Sequence, residues 1–236
     1  MAPLTILITA GPTIEDIDPV RFISNRATGK LGAAIARAAL AAGHKAILIH
    51  GPINENVLSM LPKSAKLLTV PVRSASQMHS AVMKHVKKCD AAVMNAAVAD
   101  FTPVVLAKSK LKKATQSMTL RLKPTVDILK ELGRAKAQGN RLALIGFALE
   151  TGDGRTSARK RASQIAEARR KLSAKNADAI ILDSPKEMGA ELGDFTLIRR
   201  SGGRKEVYFG GMSKESLAVK IVRLCEELAS AISSKK

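Results

Sequence analysis

Unbroken apolar runs alternate along the chain with segments in which apolar residues recur at helical spacing. Residues 4–9 form a continuous apolar run closed by Gly11-Pro12, the pattern of a strand buried on both faces. Residues 29–43 place Ala and Leu at helical spacing and stop at Gly43, a residue type suited to ending a helix. Further strands are predicted over 45–50, 65–72 and 91–100, with a helix over 74–89 between the last two that starts at Ser74 as N-cap. From 101 to 115 the alternation lapses into a Pro-containing, lysine-dense segment expected to be a mobile flap. The pattern then resumes: a strand over 117–124, a helix over 125–139, a strand over 141–151, a long basic helix over 156–177 and a strand over 178–183. A hairpin of 195–200 and 205–210 around Ser201-Gly202-Gly203, and an amphipathic helix over 213–232, complete the chain.

Strands alternating with crossover helices are the signature of an α/β domain with a parallel sheet. The fold class expected is therefore Rossmann-like: a doubly wound, mostly parallel sheet with a C-terminal β-hairpin, in one domain over residues 1–236. In such a sheet ligands bind beyond the carboxyl ends of the strands. Small and polar residues at two of those ends, TAGPT (9–13, with Gly11) and NAAVAD (95–100), mark the expected crevice.

Aromatic residues make up only 3% of the chain, with no Trp and one Tyr, so Leu, Ile, Val and Ala must fill the core and base-stacking platforms are scarce. A net charge of +19 draws anions of any kind, nucleotides and nucleic acid included, without choosing among them. Cys89 and Cys225 have neither metal-ligand nor redox spacing and read as small buried residues of a reducing compartment. With no signal-peptide pattern and no membrane-length apolar run, a cytoplasmic protein is expected, with no membrane partner and no nucleic-acid partner.

Several simple chemistries fail on spacing. No G-x-G-x-x-G follows the first strand and Tyr208 has no lysine four residues on, which weakens an NAD(P)-dependent oxidoreductase. ATGKLG lacks the upstream Gly and the following Ser or Thr of a P-loop, and no G-x-S-x-G elbow is present. The four histidines are scattered, so no metal ligands are assigned. What remains is a set of cations, Lys110, Lys112 and Lys113 in the flap and Lys171 and Lys175 one helical turn apart, together with Asp100 at a strand end. That combination suits a nucleoside triphosphate and its metal ion, with a basic nucleic-acid-binding protein as a further reading of the charge.

Taken together and in order, DPVRFISN (18–25), TGK (28–30), AAVAD (96–100), KLKK (110–113), VDIL (126–129), GFALET (146–151) and ARRKLSAKNAD (168–178) resemble the phosphopantothenate–cysteine ligase family. The resemblance spans about residues 4 to 230. It implies a ligase of coenzyme A synthesis that joins 4′-phosphopantothenate to L-cysteine through an acyl-nucleotidyl intermediate. CTP or ATP would be the co-substrate, with Mg²⁺, in a homodimer. In many bacteria this ligase follows a flavin-dependent decarboxylase; no such domain precedes Met1, so a stand-alone form is expected. By the match, Lys110 serves formation of the intermediate and Asn25 its conversion. Gly11, Ala96, Ala97, Asp100, Lys110, Val126, Asp127, Ile128, Phe147, Lys171 and Lys175 fall at nucleotide-binding positions. Arg21, Asn25, Thr28, Gly29 and Lys30 fall at substrate-binding positions, with Arg21 either holding the substrate phosphate or bracing its loop. RATGK (26–30) departs from the His-Ser-Ser-Gly-Lys common in bacterial members.

Overall fold

In a computed structural model, residues 2–112, 118–150, 156–183, 192–201 and 204–234 are described. Six parallel strands form the body of the sheet: β1 (Thr5–Ala10), β4 (Lys45–His50), β5 (Leu67–Pro71), β6 (Ala91–Met94), β9 (Ala143–Leu149) and β10 (Ala179–Asp183). Two antiparallel strands, β11 (Leu192–Arg199) and β12 (Glu206–Ser213), extend one edge as the expected C-terminal hairpin. Across the sheet the order is β12-β11-β10-β9-β6-β1-β4-β5. Leaving out the hairpin, the chain works outward from β1 in one direction through β4 and β5, then returns to β1 and works outward in the other through β6, β9 and β10. This is the dinucleotide-binding strand order, and its switch point lies between β1 and β6.

The buried runs explain the two helix layers. On β1, Ile6 and Ile8 point to one face and Leu7 to the other, and Val93, Ile145 and Ile181 alternate with Ala92, Leu144 and Ile180 in the same way on their strands. The first face is covered by α1 (Lys30–Ala41) and α6 (Lys214–Ser233). The second is covered by α3 (Ala75–His85), α4 (Ile128–Ala137) and α5 (Ser157–Ala174). Small residues let α1 approach closely: a Cβ on Gly32 would lie 2.4 Å from the Cβ of Ala10 at the end of β1. A short helix, α2 (Glu55–Ser59), follows β4.

The structure departs from the sequence pattern where elements are short. Residues after β1 form an unforeseen two-stranded hairpin, β2 (Ile14–Asp16) with β3 (Phe22–Ser24). The strand expected over 91–100 stops at Met94, because residues 95–100 turn away to line the crevice. The strand expected over 117–124 is reduced to β8 (Leu122–Pro124), paired antiparallel with β7 (Phe101–Pro103). The lysine-dense segment thus begins on a paired stem. Lys113 and the rest of the expected flap to 115, with the Gly202-Gly203 turn, lie outside the described residues.

Candidate active site at the strand switch point

A crevice of about 660 Å³ opens at the carboxyl ends of β1, β6 and β9. Its floor is a laced backbone. Ala97 N donates to Gly11 O at 2.9 Å and Thr13 N returns a bond to Ala97 O at 3.2 Å. Ala96 N donates to Thr9 Oγ1 at 3.1 Å and Ala99 N to Thr13 Oγ1 at 2.9 Å. Thr125 closes the far side, its hydroxyl donating to Ala99 O at 2.6 Å and its N–H to Asp100 O at 2.9 Å. These side-chain bonds hold the segment where no sheet ladder reaches it, since β6 has already ended.

Around this floor stand the functional side chains. Asn25 follows β3, and its Nδ2 donates to Ala97 O at 3.0 Å and Val98 O at 3.3 Å, which leaves its Oδ1 as an open acceptor. Asp100 is exposed, and its carboxylate has no partner among the described residues. Asp127 caps α4 by accepting from Lys130 N at 3.0 Å, and Val126, Ile128 and Leu129 bring the first turn of that helix, its positive end, to the wall of the crevice. Lys175 Nζ lies 3.1 Å from Asp127 Oδ2, and Lys171 Nζ lies 2.5 Å from Glu150 Oε1. Phe147, half-buried on β9, forms part of the wall.

The structure therefore brings together Asn25, Ala96, Ala97, Asp100, Val126, Asp127, Ile128, Phe147, Lys171 and Lys175. The other residues singled out from the sequence do not line it with their side chains, although Gly11 O takes part in the floor. Gly11 and Gly29 both adopt the left-handed conformation, at φ 74° and 76°. Cβ atoms on them would come within 2.3 and 2.4 Å of the same atom, Ile53 Cγ2, so they let three loops meet around that side chain. Thr28 only faces the N–H of Lys30, at 3.5 Å. Lys30 opens into a separate cleft of about 380 Å³ beside Arg37 and the start of α6.

Arg21 braces its loop. Its guanidinium pairs with the buried Asp18 carboxylate and donates to Leu111 O at 2.9 Å. Asp18 also accepts from Val20 N, Arg21 N and Leu111 N at 2.8, 2.8 and 3.1 Å. The Arg21 guanidinium, helped by these backbone donors, holds Asp18 far below the usual carboxylate range. Through Leu111, and through Ala107 N donating to Ile17 O at 3.0 Å, the lysine-rich segment is fastened to the β2–β3 turn. Lys110 is exposed beside this clasp and does not line the crevice.

Sequence reasoning missed Glu150, the partner of Lys171; Arg26, which lines the crevice next to Asn25; and Asp18, the anchor of the clasp. Glu150 and Asp18 sit within motifs quoted above, but a partner 21 or 93 positions away leaves no mark on local spacing. Among the described residues no group of three or more His, Cys, Asp and Glu side chains could hold a metal ion. No described helix is long and apolar enough to cross a membrane.

Comparison with known proteins agrees with this fold. A crystal structure of the C-terminal domain of coenzyme A biosynthesis bifunctional protein CoaBC superposes with a TM-score of 0.75 at 33% identity, covering 97% of this chain and 96% of that one. The CoaBC protein of Bacillus subtilis is 41% identical over 222 residues, 92% of this chain and 50% of its own length. A prokaryotic protein named cysteine/cysteine sulfinic acid decarboxylase is 44% identical over 191 residues, 81% of this chain and 48% of its own length. The chain thus spans about half the length of these curated relatives. The model of the DNA/pantothenate metabolism flavoprotein C-terminal domain matches residues 1–228, and the chain belongs to that family.

Proposed function

We propose that this chain is a ligase joining 4′-phosphopantothenate to L-cysteine, with CTP or ATP as the activating co-substrate. The observation that carries the reading is the meeting, at one strand switch point, of the first turn of α4, Lys171, Lys175, Asp100 and the pinned Asn25. The kinship with CoaBC proteins supports it.

In the first step a carboxylate oxygen of phosphopantothenate bonds to the α-phosphorus and pyrophosphate leaves. Two polyanions must approach each other, so cations and oriented N–H groups have to be in place beforehand. Lys171, Lys175 and the α4 N-terminus supply them on the nucleotide side. Lys110, exposed on the arm, would swing in from the clasp and exclude water from the anhydride. In the second step the cysteine amine attacks the acyl carbon, the nucleoside monophosphate leaves and the amine proton passes to solvent. Asn25 keeps Oδ1 free to accept from that amine while its NH₂ remains anchored. Asp100 would contribute one carboxylate oxygen to a Mg²⁺ ion otherwise coordinated by phosphate oxygens and water, a hard ion's usual arrangement at such sites. The active form would be a homodimer.

The test is to incubate the protein with 4′-phosphopantothenate, cysteine, Mg²⁺ and either CTP or ATP, and to follow pyrophosphate and product mass. Stoichiometric pyrophosphate and phosphopantothenoylcysteine with one of the two are expected. No product with any nucleotide would overturn the reading.

A further inference from the structure

We infer that Arg26 binds the phosphomonoester of the acid substrate. The inference rests on the ligase reading above and assigns a residue to one of its two anions. Arg26 lines the crevice between Asn25 and the start of the α1 loop. Lys171 and Lys175, on the nucleotide side, are braced by Glu150 and Asp127, and Arg21 is paired with Asp18. Among the described residues no carboxylate, carbonyl or aromatic ring engages the Arg26 guanidinium.

Its backbone, by contrast, is rooted. Ser24 Oγ donates to Thr13 O at 2.8 Å, and the Asn25 side chain is fastened to Ala97 O and Val98 O, so the residue leaves the floor from a fixed point. A guanidinium lining a crevice with no ion pair or hydrogen bond to protein has its donors free for a planar, bidentate grip on phosphate. In a chain of net charge +19 its cationic neighbours add to the field that draws such a ligand in.

The sheet order selects which phosphate. Lys171, Lys175 and the α4 N-terminus belong to elements flanking β9 and β10, whereas residues 24–26 belong to the loop joined to β1. The triphosphate takes the first group. The reacting carboxylate must lie opposite the leaving pyrophosphate, so the acid substrate occupies the β1 side of the crevice, where Arg26 is, among the described residues, the unpaired cation within reach of its phosphate.

The experiment compares wild type, Arg26→Ala and Arg26→Lys with 4′-phosphopantothenate and with unphosphorylated pantothenate as acid substrate. Arg26→Ala is expected to raise the KM for phosphopantothenate about 10- to 100-fold, the worth of one charge-assisted phosphate contact, and to leave the nucleotide KM unchanged. Arg26→Lys should recover part of the loss, and with pantothenate the three proteins should perform alike. An equal loss with both acids, a loss confined to the nucleotide KM, or no loss would each overturn the assignment. If wild type makes no product at all, the ligase reading fails instead, and calorimetric binding of phosphopantothenate still tests Arg26: a Kd unchanged by Arg26→Ala would overturn it.

Discussion

Gly11→Ala puts two costs on one atom, and the structure lets them be separated. At φ 74° a side chain pays the left-handed penalty of about 1–2 kcal/mol. The new Cβ would also lie 2.3 Å from Ile53 Cγ2, an overpacked contact that costs about 1–3 kcal/mol more. The sum, about 2–5 kcal/mol, is a large part of the roughly 5–15 kcal/mol that holds a domain folded. Ile53→Ala removes the clashing methyl and leaves the backbone term. In that background Gly11→Ala should cost only about 1–2 kcal/mol, a coupling of about 1–3 kcal/mol between the two positions. The assay is urea unfolding of the four proteins of the cycle by far-ultraviolet circular dichroism, since the chain has no Trp. Additive losses, within about 0.5 kcal/mol, would refute the claim that Ile53 occupies the space these glycines leave. Gly29→Ala, whose Cβ would come 2.4 Å from the same Ile53 Cγ2, should couple to Ile53 as well but be relieved less, since Ile53 Cβ, 3.2 Å away, remains in alanine.

Lys171→Ala should weaken nucleotide binding about tenfold or more by calorimetry, and Lys171→Ala/Glu150→Gln less, because the single change strands the Glu150 carboxylate beside the phosphates. Lys110→Ala should abolish pyrophosphate release, whereas Asn25→Asp should let an activated intermediate accumulate; equal loss at both steps would count against the separate roles. Burial pushes the Cys89 thiol up to about 11 and the Cys225 thiol to about 12, with Asp90 and Glu226 adding to it, so neither should react with iodoacetamide at pH 8 in the folded protein. For the same reason stability is intact below the unfolded thiol value of about 8.5. It should fall as pH rises from there toward those raised values, since the unfolded chain loses the protons first; a flat urea midpoint over pH 8.5–10.5 would contradict this.

What could be read from the sequence follows from how far each signal reaches. The buried strands announce themselves because both faces of the sheet are covered, so ALIGFAL at β9 is a continuous apolar run and TILITA at β1 is broken only by threonine, and neither needs a partner to be recognised. Ser74 and Gln77 carry a capping box within four residues, and α3 begins where they place it. The β2 and β3 strands, three residues each, are too short for any period to show, and they exist because Ile14–Asp16 and Phe22–Ser24 find each other across the Asp18–Arg21 turn. Motif order located most of the crevice, but it grouped residues by chemistry rather than by where they pack. Gly11 and Gly29, singled out for ligand positions, also frame Ile53, and Arg21, for which holding phosphate and bracing its loop were both open, is paired with a buried carboxylate. Pairings over long separations, Lys171 with Glu150 or Asp18 with Leu111, are properties of the folded surface and leave no local pattern.

The most direct test is a crystal structure of the protein with Mg²⁺ and a non-hydrolysable nucleoside triphosphate. Phosphate density is expected between the α4 N-terminus, Lys171 and Lys175, with Mg²⁺ on the Asp100 side and the sugar and base reaching toward Ala96 and Phe147. Density instead in the cleft lined by Lys30 and Arg37, with the switch-point crevice empty, would contradict this.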